Sequence, residues 1–342
     1  MDQGRLTRAA AGPADRGTPA TLVVRAPAKL NLSLAVLDRR PDGYHDIESL
    51  MVPVTLHDTL RVRRTADPGI HLDVQFGGRL AAGAGSALAR DVPVDDSNLV
   101  VRAARMLAEE SGASGGLAVE LVKEIPSGAG LGGGSSDAAA VLLAAARLWN
   151  LNWPAGKLAT LGARIGSDVP WFFAAGPAIA AGRGEDVTPV AELPPLPAVI
   201  ACPATGLSTA AVYAACRPDA SRRGAAARLA TALAAGDLRG GLPCMTNALE
   251  PPARSLCADV DALLADMGRC GAWAPRLTGS GSACFALART MAEARGIAAR
   301  LAALRGTGGP RWPGVFVVRL AGRAAAAGCQ ERTGLARLTT DD

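Results

Sequence analysis

The chain has 342 residues, 49% of them apolar and 20% charged, a balance typical of a globular protein of about two domains. Its 36 lysines and arginines against 31 acidic residues give a net charge of +5, which suits anionic ligands but is too dispersed to predict nucleic-acid binding. No apolar stretch approaches the roughly 18 residues of a membrane span, and residues 1–20 lack the apolar segment of a signal peptide. We therefore expect a cytoplasmic protein without a nucleic-acid or membrane partner.

Cysteine and lysine are both distributed unevenly. The 7 cysteines all lie in the second half, with no Cys-x-x-Cys pair and no paired histidine spacing, so the sequence predicts neither disulfides nor a metal site but small buried side chains. Lysine occurs only at Lys29, Lys123 and Lys157, and arginine supplies all the other basic charges. Each lysine is therefore a candidate for a role that arginine cannot fill.

The first half of the chain mixes strand and helix patterns. Residues 22–36 alternate, which predicts a strand with Leu30 and Leu32 on one face and Lys29, Asn31 and Ser33 on the other. A turn signal at 40–43 leads into a second strand pattern at 47–56 and, later, a third at 117–125. The helical patterns of this half lie at 98–110, 138–148 and 157–165.

A domain boundary is predicted near Gly182-Arg183-Gly184, ahead of a proline-rich segment at 194–197. We expect two domains, at 21–181 and 182–325, flanked by a disordered tail at 1–20 and a second tail at 326–342. The second half again mixes the two kinds of element, which makes the fold class α+β. Strands are predicted at 198–202, 284–288 and 314–320, and helices at 225–235, 258–267 and 291–304.

The most informative segment is a glycine-rich loop between a predicted strand and a strong helix. Its glycines let backbone N–H groups approach an anion, and the following helix adds its dipole and its unpaired N–H groups. A flexible linker would not lie so tightly between two regular elements. We therefore expect a phosphate-binding loop made of Pro126, Ser127, Gly128, Ala129, Gly130, Leu131, Gly132, Gly133, Gly134, Ser135 and Ser136.

Two common nucleotide loops are poor matches to this segment. No Gly-Lys-Ser/Thr closes it, so it is not a Walker A loop. Gly128, Gly130 and Gly133 do satisfy G-x-G-x-x-G, but a dinucleotide site also needs an acidic residue about 20 positions further on. Asn150-Leu151-Asn152-Trp153 occupies that region. Nicotinamide or flavin binding is therefore disfavoured.

The run Pro-x-Gly-x-Gly-Leu-Gly-Gly-Gly-Ser-Ser-Asp at 126–137 resembles the phosphate loop of the GHMP kinases, in the form typical of members that phosphorylate a cytidine-diphosphate-linked alcohol. The resemblance extends over about residues 22–320. It implies an N-terminal ATP-binding domain like domain 2 of ribosomal protein S5, and a ferredoxin-like C-terminal domain. The other matching segments are Ala26-Pro27-Ala28-Lys29-Leu30-Asn31-Leu32, Arg39-Arg40-Pro41-Asp42-Gly43-Tyr44-His45, Ile165-Gly166-Ser167-Asp168-Val169-Pro170, Asn247-Ala248-Leu249-Glu250-Pro251 and Leu277-Thr278-Gly279-Ser280-Gly281-Ser282.

Catalytic roles for Lys29 and Asp168 follow from the resemblance. Taken alone, Lys29 could be a charge on the open face of an edge strand, and Asp168 a turn or cap residue. As a pair, the carboxylate accepts the proton of the substrate hydroxyl, while the ammonium stabilises negative charge and holds the carboxylate ionised. Asn31, on the same strand face as Lys29, is expected to bind substrate.

The chain has only two tyrosines, Tyr44 and Tyr213. The resemblance implies that a cytosine ring stacks between them and that His45 or neighbouring backbone reads the edge of the base. We expect ATP and Mg²⁺ as cofactors, with Ser136 as a possible metal ligand, and a small-molecule substrate as the partner of a monomer or weak homodimer. The alternatives are a GHMP kinase for homoserine or mevalonate, and a non-catalytic ATP-binding regulator on the same fold.

Overall fold

Two β-sheets and the helices packed on them make up the computed structural model, which describes residues 21–81, 83–89, 92–174, 176–307, 309–322 and 329–332. The described strands are β1 (Thr21–Arg39), β2 (His45–Thr65), β3 (Ile70–Phe76), β4 (Gly116–Lys123), β5 (Ala178–Gly182), β6 (Asp186–Pro189), β7 (Pro197–Cys202), β8 (Arg276–Leu277), β9 (Cys284–Leu287), β10 (Arg305–Gly306), β11 (Gly309–Pro310), β12 (Gly314–Arg319) and β13 (Cys329–Arg332). The described helices are α1 (Leu99–Ser111), α2 (Gly133–Leu148), α3 (Ala155–Ala163), α4 (Thr209–Ala214), α5 (Ala225–Ala234), α6 (Leu238–Gly241), α7 (Glu250–Leu256), α8 (Ala258–Arg269) and α9 (Met291–Ala303).

The first sheet is built on two long antiparallel strands, β1 and β2. Its order is β13-β1-β2-β4-β3, with β5 also paired to β2 and β6 to β5. Register shifts between Pro27 and Lys29 and between Asn31 and Ser33 interrupt the regular pairing of β1 with β2. Extra residues of this kind kink a strand and redirect its side chains. Lys29, Asn31 and Ser33 are all buried, so the open strand face considered for Lys29 does not exist.

Helices α1 and α2 pack against one another, and α2 also packs on the first sheet. Asn98 caps α1 by accepting a hydrogen bond from the N–H of Val100, and Gly112 ends it in the left-handed conformation. Helix α2 begins at Gly133, five residues before the predicted start at Ala138. Gly133 packs so closely on Ile125 that an added Cβ would lie 3.1 Å from Ile125 Cγ2. Tertiary packing therefore overrides the poor helix propensity of the glycines.

The second sheet is antiparallel, with the order β12-β7-β9-β8. Helices α4 to α8 lie between β7 and β8 in the chain, and α9 lies between β9 and β12. This β-α-β-β-α-β order is the ferredoxin-like arrangement predicted for the second half. The α+β fold class is thus confirmed.

Two predictions about chain organisation are wrong. The boundary at 181/182 would separate β5 from β6, yet the two strands pair as a hairpin within the first sheet, and the chain enters the second sheet only at β7. The tail predicted at 326–342 contains β13, which pairs with residues 21–24 of β1 because an edge strand offers unpaired N–H and C=O groups. The predicted tail at 1–20 and the rest of 326–342 lie outside the described residues.

One apolar core joins the two sheets. Leu30 and Leu50 of the first sheet belong to the same cluster as Ile200 and Phe285 of the second. A parallel bridge between Leu34 and Asn247 adds a backbone connection. The two sheets therefore share buried surface next to the middle of β1, where Lys29 and Asn31 lie. Where the structure describes the chain, no helix has the length and hydropathy needed to cross a bilayer.

Candidate active site

A cavity of about 700 Å³ opens where β1, the glycine-rich loop, α4 and the loop after β8 meet. This volume lies in the range of small-molecule sites in proteins. Its lining includes every residue predicted to be catalytic or to bind substrate, namely Lys29, Asn31, Tyr44, His45, Asp168 and Tyr213. Residues far apart in the sequence are thus brought to one place.

The glycine-rich loop forms one wall of the cavity through Gly128, Gly130, Gly132 and Ser135. Gly130 has a φ of +79°, and a Cβ there would collide with the carbonyl oxygen of Thr278. Glycine is therefore required at this position. The backbone of the loop can approach a phosphate closely, and the unpaired first-turn N–H groups of α2 begin at the same wall.

The remaining predicted loop residues do not line the cavity. Ala129 and Leu131 are buried in the core shared by the two sheets, and they anchor the loop from behind. Ser136, a possible metal ligand by sequence, is buried in the first turn of α2, and its Oγ has no hydrogen-bond partner among the described residues. Ser135 is instead the hydroxyl side chain of this turn that reaches the cavity.

Lys29 is buried and its ammonium is held in a fixed position. Its Nζ donates to Asn31 Oδ1 at 2.5 Å and to the carbonyl oxygen of Gly130 at 2.9 Å, and it lies 3.8 Å from Asp168 Oδ2. Burial lowers the pKa of Lys29, and the negative charge of Asp168 partly opposes this effect. A Cβ added to Gly279 would lie 3.3 Å from Nζ, so the second half of the chain closes over the lysine.

Asp168 lies in the turn that follows α3. A backbone hydrogen bond of 3.1 Å from the N–H of Val169 to the carbonyl oxygen of Gly166 closes this turn. The Asp168 side chain is 38% exposed, whereas that of Lys29 is 4% exposed. The carboxylate is therefore open to the cavity while its ammonium partner is enclosed, as expected of a base that must reach a substrate hydroxyl.

The aromatic residues of the cavity contact one another and a neighbouring arginine. His45 stacks on Tyr213 with ring centroids 5.3 Å apart, and the guanidinium carbon of Arg183 lies 4.6 Å from the centroid of the Tyr44 ring. Burial, and secondarily the charge of Asp168, raises the pKa of Tyr213, so its hydroxyl stays protonated. All four residues border the cavity, and the stacking of cytosine between the two tyrosines stays a prediction.

The loop after β8 contributes contacts that were not among the predicted site residues. Thr278 Oγ1 accepts a hydrogen bond of 3.0 Å from the N–H of Asn31. Asn247 Nδ2 donates to the carbonyl oxygens of Leu277 and Gly279 at 2.9 and 2.8 Å. Both segments belong to predicted motifs, but the bond from Thr278 to β1 joins residues 247 positions apart and has no local sequence signal.

A second buried lysine lies beneath the glycine-rich loop. Lys123 Nζ donates to Asp58 Oδ2 and, at 2.7 Å, to Asp137 Oδ2. Asp58 Oδ1 accepts hydrogen bonds of 2.6 and 2.8 Å from the N–H groups of Glu124 and Ile125. The cluster of Lys123, Asp58 and Asp137 thus ties the entry of the loop to the helix that follows it.

Two family models match this chain: the GHMP kinase N-terminal domain over residues 98–176 and the GHMP kinase C-terminal domain over residues 211–305. A 4-diphosphocytidyl-2-C-methyl-D-erythritol kinase of Pelotomaculum thermopropionicum is 40% identical over 276 residues, which cover 80% of this chain and 92% of that protein. The chain therefore belongs to the GHMP kinase family.

A kinase of the same name from Rhodopirellula baltica is 42% identical over 289 residues, covering 78% of this chain and 87% of that protein. The crystal structure of a 4-(cytidine 5'-diphospho)-2C-methyl-D-erythritol kinase superposes with a TM-score of 0.69 at 37% identity, covering 88% of this chain and 99% of the other. Homoserine kinase from Cytophaga hutchinsonii superposes with a TM-score of 0.68 at 20% identity, covering 91% and 98%, and shows the shared fold alone. The predicted GHMP kinase fold is confirmed, and kinases of this family use ATP.

Proposed function

We propose that this chain transfers the γ-phosphoryl group of ATP to the 2-hydroxyl of 4-diphosphocytidyl-2-C-methyl-D-erythritol, a step of non-mevalonate isoprenoid synthesis. One observation carries the proposal: Lys29 and Asp168 lie 3.8 Å apart beside the glycine-rich loop, in a cavity that Tyr44, His45 and Tyr213 also line. The pair of Lys29 and Asp168 beside the glycine-rich loop suits phosphoryl transfer, and the aromatic side chains suit the binding of a nucleobase. The names of relatives at 40% and 42% identity support this choice of substrate.

In this mechanism Asp168 acts as the base. The 2-hydroxyl oxygen forms a bond to the γ-phosphorus while the bond from that phosphorus to the β–γ bridging oxygen breaks, so that ADP leaves and the hydroxyl proton passes to the Asp168 carboxylate. Lys29 places its positive charge beside the carboxylate and stabilises charge on the transferred group. Because hydrogen bonds hold the Lys29 ammonium in place before the substrate arrives, little reorganisation of this charge is needed at the moment of reaction.

The glycine-rich wall fits a triphosphate, since Gly128, Gly130 and Gly132 line the cavity next to the first turn of α2. A Mg²⁺ ion would fit the same wall, where the hydroxyl side chain of Ser135 borders the cavity. Among the described residues no group of three or more acidic, histidine or cysteine side chains could hold a metal by itself. The ion, when bound, would neutralise phosphate charge, and Ser135 would be its protein partner.

A substrate panel tests this function. The full chain would be incubated with ATP, Mg²⁺ and one of three alcohols: 4-diphosphocytidyl-2-C-methyl-D-erythritol, homoserine or mevalonate. We expect ADP release with the first alone, and phosphorus NMR should place the new ester on the 2-hydroxyl. Faster turnover of homoserine or mevalonate would instead assign another GHMP kinase activity. ATP binding without turnover of any alcohol would favour the non-catalytic regulator.

A further inference from the structure

Arg183 borders the cavity and has no part in the mechanism above. It lies in the turn between β5 and β6, and its guanidinium carbon is 4.6 Å from the centroid of the Tyr44 ring. Glu185 fixes the residue at two points: Glu185 Oε2 accepts a 2.6 Å hydrogen bond from the Arg183 N–H, and Oε1 lies 3.5 Å from Arg183 Nε. The side chain is thus held over the tyrosine ring.

The same turn also borders the reacting carboxylate. Gly184 has a φ of +120°, and a Cβ placed there would lie 3.8 Å from Asp168 Oδ1. The turn that carries Arg183 therefore contacts Tyr44 through the guanidinium and comes close to Asp168 through Gly184. A ligand that reaches from Tyr44 to Asp168 lies along this turn.

The charge of the lining favours an anion at this point. Arg183 and Arg39 are cations of the lining that have no part in the mechanism, whereas Lys29 is already engaged with Asn31 and Gly130. The contacts between Arg183 and Glu185 involve Nε and the backbone N–H of the arginine. A guanidinium binds phosphate oxygens in pairs through its terminal nitrogens, with a geometry that lysine lacks.

We propose that Arg183 binds the diphosphate of a cytidine diphosphate ligand and so selects it over alcohols that lack this group. The inference rests on the proposed function, because in that substrate the diphosphate joins the nucleoside to the alcohol. It adds a specificity-determining residue that the sequence motifs do not contain. The contact with Tyr44 pre-organises the guanidinium, which lowers the entropy lost on binding.

Calorimetry with cytidine, cytidine monophosphate and cytidine diphosphate tests the proposal on the full chain. A non-hydrolysable ATP analogue at saturation keeps these probes out of the ATP site. The variants are Arg183→Met, which keeps the aliphatic stem, Arg183→Lys, which keeps the charge, and the matched control Arg39→Met at the same cavity. We expect Arg183→Met to weaken cytidine diphosphate binding by about 10-fold to 100-fold, the worth of hydrogen bonds to a charged group, and Arg183→Lys to weaken it less. The affinity of Arg183→Met for cytidine should differ from that of the parent by less than about threefold, because Arg183 is expected to contact only the phosphates.

Three results would overturn the assignment. In the first, Arg183→Met binds cytidine diphosphate as tightly as the parent does. In the second, Arg183→Met loses as much affinity for cytidine as for cytidine diphosphate, which would make Arg183 only a support for Tyr44. In the third, Arg39→Met and not Arg183→Met loses affinity for cytidine diphosphate. The proposed function fails separately. If the parent binds neither cytidine nor cytidine diphosphate, the substrate assignment falls and the role of Arg183 falls with it, whereas diphosphate binding that is unchanged in Arg183→Met removes only the role of Arg183.

Discussion

Lys29 and Lys123 are buried to the same degree, each 3% exposed, yet their surroundings shift their pKa values in opposite directions. Burial lowers the pKa of Lys29. The negative charge of Asp168 opposes this effect only in part, because the carboxylate is 3.8 Å away and partly in solvent. Burial also opposes the charge of Lys123, but two buried carboxylates in direct contact outweigh it and raise its pKa. The number and proximity of the carboxylates decide the outcome, not burial itself.

The comparison separates two uses of a buried ammonium in one half of a protein. Lys123 and its two acidic partners, Asp58 and Asp137, are all buried. Through their bonds to Lys123, the two acidic residues fix β2 and α2 to the end of β4. Lys29 has a partner that stays open to the cavity, so its charge remains available to a ligand. The cluster around Lys123 holds the glycine-rich loop in shape, and the pair of Lys29 and Asp168 is suited to act on a bound ligand.

The largest expected effect is on turnover, from Lys29→Met. Removing a charge that acts on the transition state should lower kcat by about 10²-fold to 10⁴-fold. The free energy of unfolding should stay equal or rise, because a buried ammonium with a lowered pKa costs stability at neutral pH. Single-turnover rates and urea denaturation measure the two quantities. A loss of stability with unchanged turnover would assign Lys29 the structural role given to Lys123.

Lys123→Met should have the opposite profile. The buried Asp58 carboxylate would lose its cation and Asp137 would lose the donor that it shares, which typically costs about 3–5 kcal/mol of folding free energy. Urea denaturation measures the loss, and the fraction that folds should keep most of its kcat. A triple variant with Asp58→Asn and Asp137→Asn should recover much of the stability, since no charge is then left unpaired. No recovery in the triple variant would contradict the account of the cluster.

Gly132→Ala tests Lys29 by displacing it instead of removing it. Gly132 has a φ of +73°, and its Cβ would lie 3.0 Å from Lys29 Cγ and 3.1 Å from Phe172 Cζ. The left-handed conformation alone costs a side chain about 1–2 kcal/mol. ATP affinity by calorimetry should fall by about tenfold. Gly134→Ala, whose Cβ would meet only Leu99 Cδ1 at 3.4 Å, should have a smaller effect; equal effects would show that the close approach to Lys29 is unimportant.

The smallest effect concerns Asp137 and pH. Burial, opposed by Lys123, raises the pKa of Asp137 from 3.8 to about 8. The folded chain therefore keeps a proton that the unfolded chain releases near pH 4, and this contribution to stability is complete below about pH 4 and is lost as the pH rises to about 8. Asp137→Asn stays uncharged, so its free energy of unfolding should decline less than that of the parent between pH 5 and pH 8. Parallel declines in urea denaturation would show that Asp137 does not titrate in this range.

The sequence predicted the parts of the site that depend on local pattern. Lys29, Asp168 and the glycine-rich loop lie in contiguous motifs, and the structure brings all three to one cavity. Scarcity of lysine was a signal for Lys123 as well, but its partner Asp58 is 65 positions away and meets it only through strand pairing. Arg183 was interpreted as part of a domain boundary, because a Gly-x-Gly turn in a short hairpin has the same composition as a linker.

The bounds of elements were less predictable where packing decides them. Helix α2 includes glycines that are poor helix formers, since contacts with β4 and the core fix its first turn. Lys29 and Asn31 alternate with Leu30 as predicted, but their face of β1 is buried because Thr278 and Gly279 cover it. Such features arise from contacts between distant segments, which a single sequence does not encode locally.

The central claim is that Lys29 and Asp168 act as one unit on the substrate hydroxyl, and a single-turnover cycle with both ligands saturating tests it most directly. Asp168→Asn keeps the size of the side chain and removes the base, so its rate should fall by about 10²-fold to 10⁴-fold. Adding Lys29→Met should lower that rate by no more than about tenfold further. When two residues act as a unit, removing the first already abolishes most of the contribution of the second. A folded, saturated Asp168→Asn variant with a rate within about threefold of the parent, or a double variant showing the full product of both losses, would contradict the claim.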